Sequence, residues 1–589
     1  MSAGLSREDA HRRLVGPGLP FEVDEVTVGG VTLRSWRNAP PSLRAVFART
    51  ADFGDAEFMV HGEERLTYAE HRRAVCRLAH VLRESYGIRK GDRVALSMRN
   101  VPEWSVAFWA AVSLGAIVVP LNAWFVGREL EFCLNDSGSK VALLDRARAE
   151  RLAPFLDALA LDGVIVARSE GAALPGAATL WEDALAAAPD DAPLPDADVE
   201  PEDDATIFYT SGTTGVPKGA VGTHRNICAS IASVSYRVAV KQLCRGVTPR
   251  ALGGSPPQTV TLVPVPFFHV TGCHAILAPG VGGGSKHVLM HRWDPDDALA
   301  LIERERVTNI VSVPGMLLQL LESPRFADHD TSSLITVGHG GAPAMSKLAE
   351  RVHALLPHVD AENGYGLTEA SSLVAYNAGE SYRRKVWSCG RPVPVCDLKI
   401  VDEDGAPVPT GTRGELCVKG PNVVRGYWNR PEESAQTFRD GWLHTGDLAR
   451  IGEDGLLDIL DRAKDMLIRG GENIFTVEVE NVLLDHPAVL EAAVFGKPHP
   501  VLGQEVAAVA CAVPGKTVGA EELIEHCRAR LAAFKVPVEI AIRQDPLPTN
   551  AAGKILKRQL QDELFPESPD DTVAGEATAE QVEDGTPKP

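Results

Sequence analysis

The sequence predicts an α/β protein. A large N-terminal part has helices covering β-sheets, a stretch of short strands follows, and a small second unit comes last. Three observations predict this. Helix-like and strand-like patterns alternate over residues 65–150, and again over 285–320 and 333–376, which is the signature of βαβ units. Short β-like runs separated by DEDG and EDG turns fill 395–460, and a further α/β pattern occupies about 463–563. At 589 residues the chain exceeds one domain of roughly 100–200 residues.

Residues 1–45 read as an N-terminal extension. EVDEVTVGGVTLRSW suggests a hairpin turning at Gly29-Gly30, and the charged start MSAGLSREDAHRRL lacks the apolar run of a secretory signal. LTYAEHRRAVCRLAHVLRESYG is an amphipathic helix and DRVALSM a strand. The most apolar run, WSVAFWAAVSLGAIVVPL (104–121), approaches the shortest membrane-spanning length. Gly115 and Pro120 interrupt it and its second half is β-branched. It therefore reads as a buried helix (about 103–114) and a buried strand (about 116–120), and a soluble chain is expected. The Pro- and acid-rich stretch 185–204 reads as a linker before the strand ATIFYT, and 240–258 as a long loop. The last 24 residues hold seven acids, one lysine and no aromatic, a composition that favours disorder.

Hydrophobic residues make up 44% and charged residues 23% of the chain, which excludes a wholly disordered or fibrous protein. The formal charge of −20 argues against a nucleic-acid-coating protein but leaves room for a local phosphate pocket. Ten cysteines without a CxxC pair suggest neither a zinc framework nor a disulfide scaffold, and they fit a reducing cytoplasm.

Chemistry concentrates in YTSGTTGVPKGA (209–220), which follows the strand ATIFYT. Gly212, Gly215 and Gly219 permit close backbone approach to a ligand. Thr210, Ser211, Thr213 and Thr214 donate to phosphate oxygens, and Lys218 adds positive charge. It is not a Walker A loop, because Lys218 follows Pro217 and precedes Gly219.

This segment resembles the signature of the adenylate-forming superfamily, which includes acyl-CoA synthetases, and other segments resemble that superfamily's motifs in order. They are PFFHVTG (266–272), GGAP (340–343), NGYGLTEA (363–370), GWLHTGDLA (441–449), DRAKDMLIRGGENIFTVEVE (461–480) and PTNAAGKILKR (548–558). The resemblance covers roughly 45–563. It implies a large AMP-binding domain (46–461) with a β-barrel-like subdomain, a hinge (462–465) and a small mobile C-terminal α+β domain (466–563), and composition leaves 564–589 as an acidic, disordered tail.

The resemblance also implies site residues. Gly341, Ala342, Pro343, Asn363, Gly364, Tyr365 and Gly366 border the adenine, with Tyr365 offering a stacking face. Thr368 meets the α-phosphate. Glu369, with Thr210, is a hard-oxygen ligand for Mg²⁺. Asp447 and Arg462 take the ribose, and Lys464 is the hinge. Gly470 and Gly471 meet the pantetheine of coenzyme A. His269 gates the acyl pocket, and Lys554 bridges the reacting carboxylate and the α-phosphate. His269, Cys273 and His274 lack a fourth ligand of sensible spacing for a metal site. Thr476 stands where many relatives have proline, and Asp461 replaces a usual glycine before the arginine, as in many acyl-CoA synthetases.

The implied reaction joins a carboxylate to AMP at the expense of ATP and then passes the acyl group to coenzyme A. Thr261 to Ala278 contains no charged residue to pair an amino acid's ammonium. A hydrophobic acid is therefore expected, a medium- or long-chain fatty acid first and an aromatic or steroid-type acid second. A separate carrier protein as acceptor, a non-catalytic nucleotide-binding relative and a lipid-binding scaffold are the competing readings. A homodimer and peripheral membrane contact remain open at this stage.

Overall fold

The run 104–121 folds as its breaks require. Pro102–Ser113 is a helix started by proline at its first turn, where the missing N–H costs nothing. Gly115 turns the chain at φ +73°, and Ile117–Pro120 is a fully buried strand. Every residue from Trp104 to Ser113 is buried. Trp104, Phe108 and Trp109 pack with Phe58, Val94, Val118, Val263 and Leu289 in one core, so this helix is the filling between two sheets. Each fully buried large side chain contributes roughly 1.5–3 kcal/mol.

The computed structural model describes residues 4–169, 171, 175–210, 217–551 and 553–565. The chain divides into two compact units, Met1–Ala463 with Ala551–Gly553, and Lys464–Asn550 with Lys554–Pro589.

Among the described residues of the first unit, two large sheets carry the architecture. The eight-stranded sheet has Arg93–Ser97 and Ile117–Pro120 at its centre and continues through Asp204–Thr210 and Lys218–Thr223 to a short edge at Gly426–Tyr427. In the nine-stranded sheet Val260–Val263, Asn309–Ser312, Thr336–Gly340 and Asp360–Leu367 run parallel. Asp360–Leu367 then pairs antiparallel with Ser372–Ala378. A five-stranded sheet from Asp397–Val401, Gly414–Lys419, Phe438–Arg439, Trp442–Ile451 and Leu457–Arg462 completes the unit. Helix starts are capped from the sequence: Thr67 and Glu70 form a reciprocal box at Tyr68–Glu84, as do Thr223 and Asn226 at His224–Cys244.

The Gly29-Gly30 hairpin forms between Val23–Val28 and Val31–Trp36. The extension also contains a helix, Arg7–Leu14, which was not expected. Its Ala10 and Leu14 pack with Trp36, Tyr236, Val240 and Leu243. That packing corrects the loop expected over 240–258, because the long helix continues to Cys244 and buries Val240 and Leu243. The rest of that segment is irregular apart from one 3₁₀ turn at Arg250–Leu252. The tail 566–589 lies outside the described residues.

In the second unit, Val489–His499 and Gly503–Ala512 form a long antiparallel pair, extended by Leu467–Arg469, Glu472–Ile474 and Glu539–Arg543. Helices Thr476–Leu484, Ala520–Arg528 and Lys557–Leu564 accompany them. Among the described residues, no helix is long and apolar enough to cross a membrane.

Candidate active site

The first unit joins Tyr365, Asp447 and Arg462, and links Lys218 to Glu369 through Tyr427. Thr210 pairs directly with Lys218 across two antiparallel strands, and the Thr210 hydroxyl donates to the Lys218 carbonyl at 3.4 Å. These two residues flank the glycine-rich segment 211–217. Ser211, Gly212, Thr213, Thr214 and Gly215 lie outside the described residues.

Thr336–Gly340 and Asp360–Leu367 are neighbouring parallel strands, with Gly340 opposite Gly364. Gly341, Ala342 and Pro343 therefore leave one strand beside Tyr365 on the next. Ligands favour the carboxyl ends of parallel strands. Gly366 is fixed by space, since a Cβ there would lie 1.5 Å from the Ser372 carbonyl oxygen. Asn363 is buried and donates to the Ser388 carbonyl at 3.2 Å. Thr368 and Glu369 form the 3₁₀ turn that follows.

Asp447 enters from the five-stranded sheet. The Tyr365 hydroxyl donates to its Oδ2 at 2.6 Å, and Arg462, on the facing strand, places Nε 3.2 Å from Oδ1. Burial and the Asp447 carboxylate push the Tyr365 phenol well above its ordinary pKa, so it stays a donor. The Asp360–Leu367 strand and the five-stranded sheet are thus joined by one side-chain hydrogen bond. The turn ahead of Asp447 is held by Glu415, whose Oε1 accepts from the Gly446 N–H at 3.0 Å. Glu415, Cys417 and His444 bring their ligand-type atoms within 4.8 Å of one another, a cluster that only strand pairing creates. The Arg439 guanidinium lies 2.9 Å from His444 Nδ1 and opposes a cation there.

Sequence reasoning missed Tyr427. Its hydroxyl donates to Glu369 Oε1 at 2.9 Å, and its ring lies 5.6 Å from Lys218 Nζ. It reaches this place because Gly426–Tyr427 pairs with Val221 and Ala220, about two hundred residues upstream, and no local pattern announces that pairing. Glu369 is half-buried and offers hard carboxylate oxygens, a donor type suited to Mg²⁺.

His269 follows the Val260–Val263 strand at the entrance to the π-helical turn Thr271–Leu277. Burial pulls its pKa down to about 4, and its Nε2 is enclosed without a hydrogen-bond partner among the described residues. The imidazole is therefore neutral at pH 7. Irregular π turns of this kind frequently mark functional positions.

The second unit holds four candidate residues. Lys464 is its first residue. Gly470 and Gly471, at φ +58° and +89°, make the two-residue turn between Leu467–Arg469 and Glu472–Ile474, a geometry that requires positive φ at both positions. Lys554 sits at a tight turn where its N–H donates to Asn550 Oδ1 at 3.0 Å and its carbonyl accepts from the Asn550 N–H at 2.8 Å.

The profile described as AMP-binding enzyme matches residues 46–428, and that of the AMP-binding enzyme C-terminal domain matches 478–554. The chain belongs to the AMP-binding enzyme family. Within this family it is an AMP-forming acyl-CoA synthetase of the adenylate-forming superfamily. It is 38% identical over 500 residues to a feruloyl-CoA synthase of Amycolatopsis sp, covering 85% of this chain and 94% of that one. It is 34% identical over 541 residues to a long-chain-fatty-acid–CoA ligase of Mycobacterium tuberculosis (strain ATCC 25618 / H37Rv), covering 91% and 98%. Among solved structures it resembles an anthranilate CoA ligase in complex with anthranoyl-AMP, at TM-score 0.79 and 25% identity, covering 89% and 97%. It also resembles an o-succinylbenzoate CoA synthetase from Bacillus subtilis in complex with its acyl-adenylate, at TM-score 0.73 and 32% identity, covering 89% and 98%. AMP-binding enzymes of this branch use ATP, and CoA fits as the second co-substrate.

Proposed function

We propose that this acyl-CoA synthetase activates a hydrophobic carboxylic acid, a medium- or long-chain fatty acid, and transfers it to coenzyme A. The observation that carries the reading is the joined set Tyr365–Asp447–Arg462 beside Glu369–Tyr427–Lys218. Within one unit it offers an aromatic face, a carboxylate for hydroxyl groups, and an acid and a cation suited to a metal-bound polyphosphate.

In the first step a carboxylate oxygen attacks the α-phosphorus of ATP, and the bond to the pyrophosphate oxygen breaks. Tyr365 and Asp447 orient the nucleoside, and Lys218 with loop 211–216 holds the departing phosphates. Lys554 neutralises charge on the attacking carboxylate and the α-phosphate. Glu369 and Thr210 would hold Mg²⁺, which would supply charge neutralisation for the phosphates. Catalysis here is positioning and electrostatics, because no side-chain nucleophile is needed. In the second step the coenzyme A sulfur attacks the acyl carbon and AMP leaves. Lys464 acts as the hinge that exchanges Lys554 for the Gly470-Gly471 turn between the two steps. His269, neutral in its pocket, gates the acyl chain.

Support for a hydrophobic acid comes from the absence of ionised side chains over 261–278 and from the apolar helix Pro314–Leu321. The 38% identity to the feruloyl-CoA synthase favours an aromatic acid as the second reading. AMP release from MgATP over fatty and aryl acids, with and without coenzyme A, tests both. Turnover confined to amino or dicarboxylic acids sinks the hydrophobic assignment.

A further inference from the structure

The strand that carries Tyr365 begins at a second charged cavity. Asp360 and Glu362, at the start of Asp360–Leu367, border a pocket of about 900 Å³. Tyr376 and Ala378 of the paired strand, the helix Gly379–Arg384 and the long helix His224–Cys244 also line it. Its outer wall is Ser6, Arg7 and Glu8, from the N-terminal extension that the AMP-binding profile does not match. Tyr365 lies five residues along this strand from Asp360, roughly 16 Å at 3.3 Å per residue, and Glu369 follows in the 3₁₀ turn beyond the strand.

Eight arginines and lysines and five carboxylates line this cavity, in a chain whose net charge is −20. The floor is internally paired. Arg237 donates to Glu362 at 2.7 Å, Lys241 sits 3.6 Å from the same carboxylate, and Arg245 meets Asp360 at 3.0 Å. Arg384 and Lys385 pair with Glu380 and Asp454. Three guanidiniums form no ion pair with a carboxylate among the described residues: Arg7, stacked 4.3 Å from the Tyr376 ring centre and within electrostatic reach of Glu362, and the exposed Arg383 and Arg391, the latter donating to the Asp454 carbonyl at 2.7 Å. In addition, the Arg237 Nε is buried without a partner among the described residues. Guanidiniums without a direct ion pair around one concave site, in an excess of cations over carboxylates, favour a ligand with several anionic oxygens, which they bind with paired, directional hydrogen bonds.

We propose that this cavity is a second anion site, separate from the catalytic centre, that takes a soluble oligophosphate group such as that of pyrophosphate or a nucleoside polyphosphate. Arg7, Arg383 and Arg391 bind the phosphate oxygens, and the Tyr376 ring supplies the apolar side.

The test is calorimetric titration of the full chain with inorganic tripolyphosphate in three forms: wild type, Lys218→Ala to weaken catalytic-site binding, and Lys218→Ala with Arg383→Ala and Arg391→Ala added. The Lys218→Ala protein is expected to retain one tripolyphosphate site. Removing the two arginines is expected to weaken that site about tenfold or more, the loss typical of a charge-assisted contact. Arg383 and Arg391 are exposed, so the Arg383→Ala/Arg391→Ala protein with Lys218 intact should keep wild-type acyl-CoA formation, which confirms its fold. The single Arg383→Ala variant provides a second, milder reading. Absence of tripolyphosphate binding to Lys218→Ala overturns the proposal, as does binding indifferent to the arginines. Arginine-dependent sedimentation with phosphatidylglycerol vesicles without tripolyphosphate binding overturns the soluble-ligand assignment.

Discussion

Replacing Tyr427 by phenylalanine removes one oxygen and leaves the ring in place. That oxygen donates to Glu369 Oε1 at 2.9 Å in a half-buried setting. Hydrogen bonds to charged groups contribute about 1.5–3 kcal/mol, and each 1.4 kcal/mol is about tenfold in a rate or equilibrium constant. If Glu369 acts on the nucleotide phosphates from this fixed position, Tyr427→Phe lowers kcat/KM for ATP by roughly 10- to 100-fold. Tyr427→Leu also removes the ring that lies 5.6 Å from Lys218 Nζ. A cation–π contact at such a site is worth about 0.5–1 kcal/mol, so leucine loses a further two- to fivefold or so. The assay is initial-rate AMP formation at varied MgATP, with a thermal melt to show that each variant is folded. Wild-type kcat/KM in a folded Tyr427→Phe protein refutes the idea that this hydroxyl positions Glu369.

Three further outcomes follow from the same geometry. Gly366→Ala sets a methyl group 1.5 Å from the Ser372 carbonyl, so the protein should lose more than about 3 kcal/mol of stability and its ATP binding; an unchanged denaturation midpoint contradicts the close approach. Asp447→Asn keeps the shape but removes the charge that Tyr365 and Arg462 meet, and KM for ATP should rise at least about tenfold; an unchanged KM removes Asp447 from the nucleotide site. Burial holds His71, His224, His269, His274, His287 and His339 near pKa 3 to 4, below the ordinary 6.5. Between about pH 6.5 and 4 the unfolded chain binds protons that the folded chain refuses, so stability is full above 6.5 and falls as pH drops. At pH 5.5 unfolding should take up about one proton per buried histidine, read from the pH dependence of the urea midpoint; a flat profile contradicts it.

The elements that were legible in the sequence are those whose signals are local. Gly115 and Pro120 divide an apolar run into helix and strand, Gly29-Gly30 turns a hairpin, and the motifs of the first unit mark Tyr365, Asp447 and Arg462, which the fold brings into contact. What was not legible depends on distant pairing. Tyr427 reaches Glu369 only through its strand contact at Ala220, and Cys417 meets His444 only as a cross-strand pair. Helix His224–Cys244 runs into the segment expected as a loop, where Val240 and Leu243 pack against Ala10 and Leu14, a contact across more than two hundred residues. The Tyr365–Asp447 hydrogen bond likewise joins two motifs that sequence reading treats as independent.

The most direct test of the central claim is AMP and acyl-CoA formation by wild type and Lys554→Ala, measured side by side over a panel of fatty and aryl acids with MgATP, with and without coenzyme A. The account predicts coenzyme A-dependent AMP release and thioester formation with hydrophobic acids. It also predicts that Lys554→Ala loses adenylation by about 100-fold or more yet still forms thioester from supplied acyl-adenylate. Adenylate formation that coenzyme A never consumes, or full adenylation by Lys554→Ala, contradicts it.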